Sequence, residues 1–426
     1  MPDGGQAPVE PEKVKTFRTW LASHGASFNP KVGYAELLSG FSIVAADALE
    51  ADSTIVTCPF SLAITPELSK RALLTVLKDD AILGGWSERQ LICAYIVFHW
   101  IIDTQSHPAF MHTPYLDTLP SPDQLRTPLH FTPAELETLK GTNLYGATLE
   151  RRANWEAEWK QCQEGIANAD HEWAQNFTWD HYLTASTYLS SRAFPSTLLA
   201  RTPSLVQTPA SHPILLPAID SLNHARAQPV SWVVTYPEPT TPASPASPAE
   251  PTISLIHHAP HAPLQEIFNN YGPKPNAELI LGYGFAVPDN PDDTIVLKVS
   301  GSGAGARWEV GRGARGAEGL WAEVLAFVRP HAQADGAWAV VLDAAGCLES
   351  MVLAKLEALP EVGKGEVRPE VGMMVEHYVA GQRAVLGGLI RMAREKEEEA
   401  REMARREGVR LVLEDDVEEE EEEEEE

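Results

Sequence analysis

The sequence predicts an α+β chain in which β-rich parts are split by a long helical insertion and followed by an all-helical C-terminal lobe. Three observations predict it. Short apolar runs separated by turn residues recur from Tyr34 to Thr65, and again in Val230 to Tyr236 and Thr252 to His257, as closely paired strands would have them. Between these parts, from Pro66 to about Ser190, apolar residues return at helical spacing instead. From Gly319 to Arg410 the helical spacing is unbroken by strand signals. A chain of 426 residues, 44% of them hydrophobic, has enough apolar side chain for one large body or two linked domains.

Residues 1–13 are expected to be disordered, and Val14 to His24 to form an amphipathic helix with Phe17, Trp20 and Leu21 on one side and Gly25 as its stop. In the first β-rich stretch the strand-like runs are Phe41 to Ala45, Ile55 to Thr57 and Leu62 to Ile64. The helical insertion, about 66–190, carries its own start signals: Ser87 ahead of an apolar run, and Thr132-Pro133-Ala134-Glu135, a capping box with proline at the first helical position. Three of its tryptophans, Trp155, Trp159 and Trp173, read as packing anchors. Pro237 to Pro251 is a Pro-, Ala- and Ser-rich insert that cannot pack a core and should loop out between two strands.

Leu264 to Phe268 then reads as a strand that turns through Tyr271-Gly272-Pro273 and restarts as a short helix, with Ala277, Ile280, Leu281 and Gly284 on one side. A tyrosine stands at each end of this stretch, Tyr271 and Tyr283, so two phenols could line one pocket. Residues 300–319 are glycine-rich without the Gly-Lys-Ser/Thr of a phosphate loop, and read as a linker. The lobe of 320–410 has helices at Leu320 to Val328, Leu348 to Leu359 and from about Val371. The tail, 411–426, is a block of like charge and should be disordered.

The formal net charge is −27, from 33 basic and 60 acidic residues, which argues against nucleic acid as a partner and for a basic protein. Cys58, Cys93, Cys162 and Cys347 are far apart with no C-x-x-C, so neither a zinc cluster nor a disulfide framework is indicated. The first residues lack the apolar core of a leader, and the apolar run Leu91 to Ile102 is too short to span a bilayer. The expectation is a monomer of cytoplasm or nucleus, with no membrane partner.

Four motifs carry the chemistry. Leu215 to Gln228 holds D-x-x-N-H at Asp220, Asn223 and His224; Glu266 to Gly272 reads E-x-F-x-x-Y-G; Asn276 to Phe285 reads N-A-E-L-x-x-x-Y-G-F; and Ser191 to Phe194 reads S-R-x-F. Together these resemble the SET-domain protein methyltransferases, in the branch typified by the Rubisco large-subunit lysine methyltransferase. The resemblance implies a SET domain over 14–299 split by the helical insertion, then a substrate-binding helical lobe. It implies S-adenosylmethionine as the co-substrate, no metal, and a protein substrate presenting a lysine. Tyr271 becomes the catalytic tyrosine and Tyr283 its second. Asn223 and His224 become the cofactor pair with Asp220 at the head of their element, and Arg192 holds the cofactor carboxylate. Gly284 and Phe285 lie against the cofactor, as does the acidic turn Asp52-Ser53-Thr54. One position departs from the pattern: the glycine turn is Gly40-Phe41-Ser42, so a place of close backbone approach has gained a side chain.

The reaction asks little of acids and bases. A methyl on a cationic sulfonium needs oxygen acceptors and aromatic faces around it. The acceptor amine must be neutral, and free lysine titrates at about 10.4, so the site has to desolvate and align it. A ribosomal or other non-histone protein is the substrate expected by analogy. Two other readings stand beside this one: a SET-fold adaptor that no longer catalyses, motivated by Ser42 and the acidic tail, and a histidine methyltransferase, whose neutral imidazole could enter a similar channel. His257, His258 and His261 form H-H-x-x-H but run from a strand into Pro260 and Pro263, which does not favour metal ligation.

Overall fold

The structure is a computed structural model and describes residues 10–37, 40–237, 250–299, 306–332, 336–361, 366–409 and 411. The acidic block from Glu414, most of the Pro-Ala-Ser insert and residues 1–9 lie outside the described residues. The chain divides into two compact units: Met1–His130 with Leu149–Pro273 and Gly282–Gly284, and Phe131–Thr148 with Lys274–Leu281 and Phe285–Glu426.

The first unit holds the strands β1 (Ser27–Phe28), β2 (Val32–Leu37), β3 (Gly40–Ala45), β4 (Ser53–Pro59), β5 (Phe194–Pro195), β6 (Pro213–Ile214), β7 (Val230–Thr235) and β8 (Thr252–His257). Its main sheet has the order β1-β4-β8-β7 with every neighbour antiparallel, while β2 with β3 and β5 with β6 form separate pairs. The third expected strand run does not form a ladder. Phe60–Leu62 is a 3₁₀ turn, and Ile64 makes a single bridge to Leu215. The first helix starts earlier than its apolar spacing predicts, at Glu12, and buries Val14, Phe17 and Leu21; Gly25 follows at φ +81°. Around the proline-rich insert the flanking strands pair up to Thr235 and Thr252.

The insertion folds as predicted in kind. Ser87 caps Glu88–Ile101 with Gln90 completing a reciprocal box, and Thr132 does the same with Glu135. Ten residues of the Glu88–Ile101 helix, from Gln90 to His99, are buried, so the helix is apolar almost all round and runs through the middle of the core. The three tryptophans are anchors: Arg89 lies 4.1 Å from the Trp155 ring, Trp159 Nε1 donates to the Phe177 carbonyl at 2.8 Å, and Trp173 meets Phe98 edge-on.

In the second unit the glycine-rich stretch is only partly a loop. Trp308–Gly311 forms a strand, β10, antiparallel to β9 (Thr294–Leu297). Gly319 is what lets the next helix approach this strand, since a Cβ there would stand 2.1 Å from the Trp308 ring. The helices are Glu318–Val328, Ala337–Glu357 and Pro369–Arg406. Ala337–Glu357 starts eleven residues before the expected Leu348 and by length and composition could cross a membrane. Here its Ala344, Leu348 and Val352 are buried in one cluster with Val385, Leu386 and Leu389 of the last helix. Glu135, at the start of its own short helix, is buried and held by the guanidinium of Arg368 at 2.7 Å.

Candidate active site

The site of the first unit is made by two loops that the chain stitches together. Ile219–Ser221 is a buried 3₁₀ turn entered through Ala218, which sits at φ +74°, and it delivers Leu222, Asn223 and His224. Residues 264–268, expected as a strand, are extended without forming a regular ladder. Leu264 N–H donates to the Ala45 carbonyl, Ala45 N–H to Gln265, and Ile267 N–H to Ile43, while Asn269 exchanges bonds with the other loop through the Asn223 carbonyl at 2.7 Å and the Ala225 N–H at 3.0 Å. The backbone groups of two irregular segments are therefore satisfied by each other and by β3.

Onto this frame Tyr271 is fixed at three points. Its N–H donates to His224 Nδ1 at 3.1 Å, its hydroxyl donates to the Leu222 carbonyl at 2.9 Å, and its ring is stacked between those of His224 and Tyr283, 5.0 and 5.2 Å away. Burial holds the Tyr271 phenol well above its ordinary range, so it stays protonated. Tyr283 stands at the end of the helix Asn276–Tyr283, where Ser190 Oγ donates to the Gly282 carbonyl at 3.2 Å. Gly284 follows at φ +81°, and a Cβ on it would lie 2.8 Å from the Arg126 carbonyl carbon, so the turn behind Tyr283 admits glycine alone.

Beside the tyrosine lies a buried charge cluster. Arg192 Nη1 donates to the backbone carbonyl of Asp220 at 2.9 Å and stands 3.9 Å from its carboxylate. Tyr115 donates a very short hydrogen bond to Asp220 Oδ2, while Oδ1 is buried with no hydrogen-bond partner among the described residues. Burial drives the Asp220 carboxyl up to about 6 in spite of the neighbouring guanidinium. Next to it, Tyr34 donates to Ser221 Oγ at 3.2 Å.

The structure thus brings together Arg192, Asp220, Asn223, His224, Tyr271 and Tyr283, residues separated by up to 91 positions in sequence. Gly284 is there as a packing requirement, and Phe285 falls in the second unit. Asp52, Ser53 and Thr54 are not part of the cluster. Asp52 lies at φ +62° with its carboxylate on His258 Nδ1 at 2.6 Å, Ser53 Oγ donates to the Glu50 carbonyl, and the Thr54 carbonyl accepts from Asn29. Cys58, farther along β4, is the residue that feels the charge of Asp220. Asp52 is six residues upstream of it, roughly 20 Å at strand rise. The three histidines of H-H-x-x-H diverge as well: His261 Nε2 bonds His257 Nδ1 at 3.0 Å, while His258 bridges Asp52 and Ser231.

Three members of the site have partners that no local pattern gives. Tyr115 meets Asp220 from 105 positions away, Tyr34 meets Ser221 from 187, and Ser42 meets Glu266 from 224. Ser42 is marked by the glycine turn it interrupts, whereas Tyr34 and Tyr115 offer only a hydroxyl in an apolar stretch.

The chain matches no family model. It is 33% identical over 257 residues to Ribosomal lysine N-methyltransferase set10 of Schizosaccharomyces pombe, covering 60% of this chain and 42% of that protein. It is 29% identical over 221 residues to Ribosomal lysine N-methyltransferase 1 of Saccharomyces cerevisiae, covering 44% and 34%. The chain therefore spans under half the length of these relatives. Among solved structures, the SET domain of LSMT bound to lysine and AdoHcy superposes with a TM-score of 0.68 at 16% identity, over 92% of this chain and 93% of that one.

Proposed function

We propose that this SET-domain chain, of the branch typified by the Rubisco large-subunit lysine methyltransferase, transfers a methyl group from S-adenosylmethionine to a lysine of another protein. The observation that carries the reading is Tyr271: a protonated, immobilised phenol stacked against the rings of His224 and Tyr283, on a loop bonded to the one that carries Asn223. The residues fit a sulfonium co-substrate in kind. Two aromatic faces, Asp220 Oδ1, which has no partner among the described residues, and the Leu222 carbonyl are acceptors for positive charge, and half-buried Arg192 is a counter-charge for a carboxylate.

When bound, the sulfonium supplies an electrophilic methyl. The chain's own groups do the rest. Tyr271 holds its oxygen where a substrate amine has to be oriented, and stacking against His224 and Tyr283 restrains its ring. The burial that raises the Tyr271 phenol also favours a neutral amine over the ammonium beside it. A general base at the methyl is not required, because the proton can leave the amine before the transfer.

For the substrate we infer a ribosomal protein, by analogy with the names of the two yeast relatives, met in cytoplasm or nucleus. Such proteins are basic, in keeping with the chain's charge of −27. The test is a calorimetric titration with S-adenosylhomocysteine. Saturable one-to-one binding is expected, and a non-catalytic adaptor would show none.

A further inference from the structure

The one departure of the sequence from its family pattern, Ser42, has a partner. Ser42 lies in β3 opposite Ala35 and is fully buried, and a buried hydroxyl has to be satisfied. Its Oγ donates to Glu266 Oε1 at 2.5 Å, and the same oxygen accepts from Asn223 Nδ2 at 2.8 Å. Glu266 cannot move off this pair, because the bonds of Gln265 and Ile267 to Ala45 and Ile43 pin its backbone against Val44 on either side. The added side chain is therefore turned onto the carboxylate and is bonded within the protein.

We propose that Ser42 and Glu266 are positioning residues for Asn223, setting which end of its amide faces the co-substrate. This rests on the methyltransferase reading above. Two donors converging on one carboxylate oxygen fix the rotation of that carboxylate, and a charge-assisted bond to Nδ2 fixes the amide. Asn223 then gives its NH₂ to Glu266 and turns Oδ1, an acceptor, the other way. An acceptor so presented suits a donor on the co-substrate, an ammonium or an exocyclic amine. The effect reaches the catalytic tyrosine only through the backbone, since His224 is the next residue and accepts the Tyr271 N–H. The cost of losing Ser42 accordingly falls first on co-substrate affinity.

The experiment is a double-mutant cycle on the full chain, titrating S-adenosylhomocysteine into the parent, Ser42→Ala, Asn223→Ala and the double variant, with circular dichroism melts to establish folding. Ser42→Ala is expected to weaken binding about 3- to 10-fold, the scale of one buried hydrogen bond. In the Asn223→Ala background the same change should cost nothing further, because the group it positions is gone. Should Ser42→Ala fail to fold, Glu266→Gln takes its place: the shape is kept, the charge is lost, and the same weakening and the same loss of effect beside Asn223→Ala are expected. A folded Ser42→Ala that binds as tightly as the parent, or a loss undiminished in the Asn223→Ala background, overturns the proposal. A parent that does not bind at all overturns the methyltransferase reading itself.

Discussion

His224 accepts the backbone N–H of Tyr271 on Nδ1 at 3.1 Å and lays its ring 5.0 Å from the tyrosine ring. A ring nitrogen that accepts from a backbone N–H has no proton, so the neutral imidazole carries its hydrogen on Nε2. The histidine is thus both the clamp and one wall of the tyrosine's slot. His224→Ala removes both and should slow single-turnover methyl transfer by about 10-fold, the scale of one hydrogen bond. His224→Asn, whose Oδ1 can stand in for Nδ1, should recover part of that loss. Equal rates for the two variants would mean that the bond to Tyr271 is idle.

Tyr271→Phe keeps the ring stack and removes only the oxygen now held on the Leu222 carbonyl. The loss should fall on the chemical step, by roughly 100-fold or more, with co-substrate affinity held within a few-fold. Tyr283→Phe should be milder. If Tyr271→Phe transfers methyl near the parent rate while Tyr283→Phe does not, the two tyrosines have exchanged roles.

Arg192→Ala should weaken S-adenosylhomocysteine binding by about 1.5 to 3 kcal/mol, the range of a charge-assisted hydrogen bond. The same guanidinium also holds the Asp220 carbonyl, so a fall in melting temperature should accompany the affinity loss. Arg192→Lys keeps the charge but not the fork, and should fall between. An unchanged dissociation constant in folded Arg192→Ala would remove Arg192 from the binding site.

Stability should decline in mild acid, for a reason outside the site. His99 Nδ1–H donates to the Tyr95 carbonyl and its Nε2 accepts the His112 N–H, while His112 takes the Tyr95 hydroxyl on Nδ1 and gives Nε2–H to Leu62. Each ring is neutral with both nitrogens used, and burial lowers His99 to about 4 and His112 to about 3. With folded values below the unfolded 6.5, their stabilisation is complete above about 6.5 and is lost as pH falls toward 4 and 3. Between pH 7 and 5 each histidine forfeits about 2 kcal/mol. Asp220, raised to about 6, opposes this, because its folded form binds a proton earlier than the unfolded chain does. Its contribution over the same span is only about 1 kcal/mol, so the histidines decide the sign. A melting temperature that rises from pH 7 to 5 would contradict this balance, and His99→Gln should flatten the profile.

How much of this was legible in the sequence follows from what is local and what is not. Capping boxes at Ser87 and Thr132 act over three residues and are readable as spelled. The order of Arg192, Asp220, Asn223, His224, Tyr271 and Tyr283 predicts a cluster, and the structure forms it. The acidic turn at Asp52 makes its hydrogen bonds to His258, Glu50 and Asn29, partners its local motif does not specify. Residues 264–268 alternate like a strand, yet with Leu264 at φ +66° they only bridge to β3. Trp308–Gly311 was hidden by the glycines around it, since its strand character comes from pairing with Thr294–Leu297. Ser42 looked like an obstruction because its partner, Glu266, is set by tertiary contact alone.

The central claim, methyl transfer to a protein lysine, is tested most directly by incubating the purified chain with methyl-labelled S-adenosylmethionine and hypomethylated ribosomal protein, then mapping the modified residue by mass spectrometry. The account predicts label on a lysine side chain, dependent on Tyr271 and lost in Tyr271→Phe. Label mapped to a histidine, or none in a chain that binds S-adenosylhomocysteine and is offered whole-cell extract as well, would contradict it.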